Sequence, residues 1–146
     1  MIPEPEVGQV IRYDFLWKNN RDAGQVSGKD RPCAIILMTR ERSDGSRRIV
    51  VCPITHVPPA APDGAVAMPP KVARHLGLDE DPMWVKTDQL NEFEWRKSQI
   101  PVGISPLPDG GWVYGKLPQS LGKEVFEQVR DNYYQGVAAM INRDDG

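Results

Sequence analysis

Ile11, Tyr13, Phe15 and Trp17 alternate with Arg12, Asp14 and Leu16. A strand turns successive side chains to opposite faces, so this spacing builds one aromatic, apolar face in a half-buried strand. The apolar runs that follow are equally short. "PCAIILMT" predicts a second strand, buried on both faces. "RERSDGSRR" carries a turn signal, and "RIVVCPIT" then completes a hairpin. The prolines of "HVPPAAPDG" exclude regular structure there. "AVAMP" predicts a short strand, "PPKVARHLGL" a helix of one or two turns ending at Gly77, "MWVKTDQL" a strand that "NEFEW" extends or follows, and "GWVYGKLP" a late strand. From Pro118 the period becomes helical: Leu121, Val125, Val129, Val137 and Ile141 recur at multiples of four, with Ser120 as the expected N-cap. Residues 18–31 are polar and read as a long loop. Short strands followed by one C-terminal helix predict a mainly β fold with α: a small, strongly bent antiparallel sheet or barrel closed by that helix.

The length of 146 residues fits a single domain spanning 1–146, and 40% hydrophobic with 26% charged residues fits a globular chain. No apolar run approaches the roughly 18 residues of a membrane span, and "MIPEPEVGQV" lacks the basic and apolar regions of a secretion signal. A cytoplasmic location without membrane attachment is therefore expected. Cys33 and Cys52 lie in apolar runs without CxxC spacing and are expected to be buried free thiols. No metal site and no cofactor are expected. The net charge of −2 argues against indiscriminate nucleic-acid binding. Its distribution is uneven, however: residues 18–48 hold eight basic against four acidic side chains, and residues 79–94 hold six acidic against Lys86 alone. That asymmetry suits a protein with one basic surface.

No phosphate-loop, dinucleotide, zinc-protease or hydrolase-elbow motif is present. The two histidines are His56, directly after Thr55, and His75, expected to be exposed on the short helix. Three polar residues each close an apolar strand: Arg31 before "PCAII", Thr55 at the end of "VVCPIT" and Asp88 at the end of "MWVKTD". Polar groups at strand mouths sit on the rim of a rigid scaffold, where a site can be assembled. They are equally compatible with turn residues or with an Arg–Asp ion pair.

In order along the chain, "GQVIRYDF", "GKDRPCAIIL", "VVCPITH", "WVKTDQLNEFEW" and "YGKLP" before a helix resemble the PemK/MazF-like toxins of type II toxin–antitoxin modules, over roughly residues 7–130. The resemblance implies an SH3-like barrel with helices and a homodimer. It implies a metal-independent endoribonuclease that cuts single-stranded RNA, and a cognate antitoxin that blocks the RNA groove. The family's catalytic positions fall on Arg31 of the "RP" motif, Thr55 of "PIT" and Asp88 of "DQ". Lys18, Lys29, Lys86 and His56 are the candidate RNA-contacting side chains. Lys86 stands near a position where some relatives carry arginine, and keeps the charge without the planar fork.

These residue types suit the chemistry. RNA supplies its own nucleophile, the 2′-hydroxyl beside the scissile phosphate. The protein must align the attack, move protons and stabilise the added negative charge. Arg31 can donate two parallel hydrogen bonds to phosphate oxygens, Thr55 can position an oxygen, and Asp88 can accept a proton. The same small barrel could instead serve as a non-catalytic binding module or an inactive relative of the toxins.

Overall fold

The computed structural model describes residues 2–79 and 81–144; Glu80 of the acidic segment lies outside them. Nine strands form one sheet: β1 (Gln9–Phe15), β2 (Lys29–Met38), β3 (Ser46–Thr55), β4 (Ala65–Met68), β5 (Met83–Lys86), β6 (Gln89–Arg96), β7 (Ile104–Ser105), β8 (Val113–Lys116) and β9 (Ala139–Asn142). The main path runs β4-β5-β3-β2-β1-β7; β8 also pairs with β1, and β6 pairs with both β3 and β9. All pairings are antiparallel except β6 with β9. Among the described residues three α-helices accompany the sheet, α1 (Lys18–Asp22), α2 (Pro70–His75) and α3 (Gln119–Tyr134), with a 3-10 turn at Pro62–Gly64 in the proline-rich segment. The fold is mainly β with α, as the strand pattern predicts, but the ladder does not close into a complete barrel.

The alternating strand faces sort the core into two layers. Ile11, Tyr13 and Phe15 join Cys33, Ile35, Ile49, Val51, Phe93 and Trp95 on the inside of the curl. Tyr13 stacks on Phe93 with ring centroids 4.7 Å apart. Residues of the opposite parity, including Val10, Ala34, Val50, Cys52 and Leu90, pack under α2 and α3 with Leu121, Val125 and Val129. Cys33 and Cys52 thus fall in different layers, both buried and free. Burial pushes both thiols well above their usual range, so neither is a ready nucleophile.

Several local expectations give way to tertiary context. The 18–31 segment is not all loop: α1 occupies its start, and β2 begins at Lys29. The expected single strand "MWVKTDQL" is broken at Thr87–Asp88, because β5 pairs with the end of β3 while β6 pairs with its beginning. The C-terminal helix stops at Tyr134, and Pro118 rather than Ser120 precedes its first turn. Gly136 at φ +74° ends it, with Val137 N–H bonding back to the Asn132 carbonyl at 3.0 Å. Val137 is consequently exposed, and Ile141 is buried from β9 rather than from a helix.

Candidate active-site rim

The antiparallel register sets two of the candidate residues at the start of β2. Arg31 lies opposite Tyr13, and Lys29 opposite Phe15. The β2–β3 ladder matches Cys33 with Pro53. That pair ends the ladder: Arg31 and Thr55 each lie two residues beyond it, and Thr55 pairs with Trp84 of β5. Thr55 is buried and its hydroxyl accepts the Val57 N–H at 3.1 Å. That bond leaves the hydroxyl proton available to another acceptor.

Side-chain amides bridge the gap between β1 and β6 that the ladder leaves open. Asn91, fully buried, accepts from Leu16 N–H and donates to the Leu16 carbonyl, both at 2.9 Å. Gln89 accepts from Lys18 N–H at 3.1 Å. Arg143, just past β9, donates to Asn91 Oδ1 at 2.9 Å and to the Asp14 carbonyl, with its guanidinium 5.5 Å from the centre of the Tyr13 ring. The rim thereby runs from β3 through β2 and β1 to β6 and back to β3.

Arg31 is half-buried and forms no ion pair among the described residues, so the Arg–Asp pair left open by sequence is not formed. Its guanidinium lies over Trp17, 5.1 Å from the ring centre. Asp88 stands apart from Arg31 and Thr55, in the Thr87–Asp88 break on the other side of β3. There its Oδ1 is 3.3 Å from Lys86 Nζ, and its Oδ2 faces Gly64, 3.2 Å from where a side chain would begin. Arg31 Nε and Asp88 Oδ1 are the two buried side-chain polar atoms without a hydrogen-bond partner among the described residues. Native interiors pair nearly all such atoms, and each exception calls for a reason.

The candidate RNA contacts divide. Lys29 is exposed beside Arg31 and makes no ion pair among the described residues. Lys18 is on the same rim but bound to Asp22 at 2.7 Å. Lys86 accompanies Asp88. His56 turns to Asp79 and Pro82, with Nδ1 3.2 Å from the Pro82 carbonyl and Nε2 3.4 Å from Asp79. His75 is exposed, as expected. Trp17, Gln89, Asn91 and Arg143 were not singled out by sequence reasoning. Trp17 ends the aromatic alternation, but its partnership with Arg31 depends on the β1–β2 register.

Among the described residues no three His, Cys, Asp or Glu side chains gather as a metal-binding group, and no helix is long and apolar enough to cross a membrane. No family model matches the chain, and no curated protein gives a significant match.

Proposed function

We propose that the chain is a PemK/MazF-like endoribonuclease toxin. It cleaves single-stranded RNA without a metal, and so inhibits translation and growth in the cytoplasm until a cognate antitoxin covers its groove. The observation that carries this reading is Arg31 Nε, a buried donor without a hydrogen-bond partner among the described residues, on a guanidinium that no carboxylate offsets. One of the three residues matching the family's catalytic positions is thus left with unmet hydrogen-bonding capacity. Such vacancies suit groups that complete their bonds with a substrate.

In this mechanism the 2′-hydroxyl attacks the adjacent phosphorus and the 5′-oxygen leaves, taking a proton from solvent to become the 5′-hydroxyl. Arg31 stabilises the charge gathering on the phosphate oxygens, and Thr55 orients one of them. Asp88, with Lys86 beside it, takes the 2′-hydroxyl proton from across β3. Lys29 guides the neighbouring backbone phosphates. None of these roles calls for a metal. The purified protein is therefore expected to cut single-stranded RNA in EDTA, leaving 2′,3′-cyclic phosphate and 5′-hydroxyl ends, as mass spectrometry of the fragments would read. Strict dependence on added divalent metal, or 3′-hydroxyl ends, would refute the mechanism. Retention of RNA without cleavage would indicate a binding module or an inactive relative instead.

The same reading includes a homodimer. The aromatic face of β1 cannot supply the interface, because Tyr13 and Phe15 are inside the curl. The outer face of α3 is the better surface. Phe126, Tyr133 and Tyr134 are 38%, 56% and 79% exposed there, beside a groove of about 500 Å³ that also takes in Leu37, Val50 and Met140. Light scattering at micromolar concentration should give twice the chain mass. Replacing Tyr133 and Phe126 by aspartate should give monomers. A wild-type protein that is monomeric throughout would rule the dimer out.

A further inference from the structure

Arg31 presents a problem of design. A cation meant for a phosphate must be held still, yet the usual way to hold an arginine is a carboxylate, which would offset its charge. Carboxylates are close in sequence and register, but each is engaged elsewhere. Asp30 is met by Arg12 Nε at 3.8 Å and Ser105 Oγ at 3.1 Å. Asp14 accepts from Gly28 N–H at 2.5 Å and lies 3.8 Å from Arg143 Nη2. What Arg31 does meet is the Trp17 ring at 5.1 Å, itself braced edge-on by Phe15 at 5.2 Å.

We infer that Trp17 is a positioning residue for Arg31: it orients the guanidinium through its π face and leaves the positive charge available to a phosphate. An aromatic face attracts a cation through its quadrupole and carries no net charge. A flat guanidinium stacks on it, where an ammonium has no plane to fix. The segment bearing Trp17 is anchored on both sides, by Asn91 at Leu16 and by Gln89 at Lys18. The link to catalysis rests on the ribonuclease reading; the Trp17–Arg31 coupling itself does not.

The test compares Trp17→Phe and Trp17→Leu in the full chain by three measurements. Turnover on single-stranded RNA is the first. With Trp17→Leu, kcat should fall about tenfold, within the range of a desolvated cation–π contact, while KM changes little. Trp17→Phe, which keeps a π face, should recover most of that loss. The second is affinity for a DNA oligonucleotide of the same sequence, which has the phosphates but lacks the 2′-hydroxyl and is not turned over. Trp17→Leu should weaken it only slightly, in line with the small change in KM, and that weakening should vanish in an Arg31→Ala background. The third is the Arg31 Nε–Hε resonance, assigned by its loss in Arg31→Ala. Its ring-current displacement should persist in Trp17→Phe and disappear in Trp17→Leu. A wild-type protein that leaves RNA intact refutes the ribonuclease reading, and the second and third measurements then decide the role of Trp17. The inference is overturned if the resonance does not respond to Trp17→Leu. It is equally overturned if the DNA effect survives without Arg31, or if Phe and Leu variants lose activity only in proportion to their folded fraction.

Discussion

Arg31→Ala is expected to lower RNA cleavage by on the order of 10²–10³-fold, the usual cost of removing one preorganised group that stabilises transition-state charge. The loss should fall mainly on kcat, since the guanidinium interacts more strongly with the transition state than with the bound substrate. Stability should hardly change, with the melting temperature staying within about 2 °C of wild type. The reason lies in the contacts: Arg31 forms no ion pair among the described residues and has a buried Nε without a partner, so its removal forfeits the stacking on Trp17 and relieves a desolvated donor. A structural arginine would show the reverse, with stability lost first and activity falling only with the folded fraction. Arg31→Lys should recover part of the activity, because a point charge cannot reproduce the bidentate fork. Near-normal cleavage by a folded Arg31→Ala protein would remove the centre of the proposed function.

The largest stability effect is expected at Asn91. Its buried amide satisfies both backbone groups of Leu16, donates to the Leu90 carbonyl at 3.0 Å and accepts from Arg143. Asn91→Leu keeps the branched outline, with bulkier methyl ends, but strands a backbone N–H and C=O and deprives Arg143 of one acceptor. Leaving such groups unmet should cost about 3 kcal/mol in total, or roughly 10 °C in melting temperature for a domain of this size. Urea titration and thermal melting on the same preparation would measure it. A loss under about 3 °C would show that water replaces the amide and that β1 and β6 hold together without it. Cleavage should also decline below the melting transition, because the freed Leu16–Lys18 segment carries Trp17.

Much of the architecture was legible from local periodicity. The β1 alternation, the β2–β3 hairpin around the Ser-Asp-Gly-Ser turn and the short helix with proline at its start all depend on neighbouring residues, and all are found. The errors share a cause. Val137 and Ile141 continue the four-residue spacing of α3, but Gly136 takes a positive φ and β6 offers an edge for β9 to pair with. Periodicity registers the apolar side chains and is blind to which surface receives them. In the same way "MWVKTDQL" reads as one strand because nothing in its eight residues reveals that β3 has two partners.

Sequence alone determined that the chain is mainly β with a C-terminal helix, that its thiols are buried, and that Thr55 and Asp88 stand at or just past a strand end; Arg31, read as preceding its strand, lies inside β2. Those properties follow from side-chain spacing, turn chemistry and hydrophobicity, which act over a few residues. Tertiary structure alone decided what these residues face. It drew Asp30 to Arg12 and Ser105, Asp14 to Gly28 and Arg143, and His56 to Asp79 and Pro82. It left Arg31 on Trp17 with its Nε unpaired among the described residues, and set Asp88 Oδ1 against Lys86. Whether a charge is offset or left available depends on the groups within a few ångströms of it, and in a curled sheet those come from strands distant in sequence.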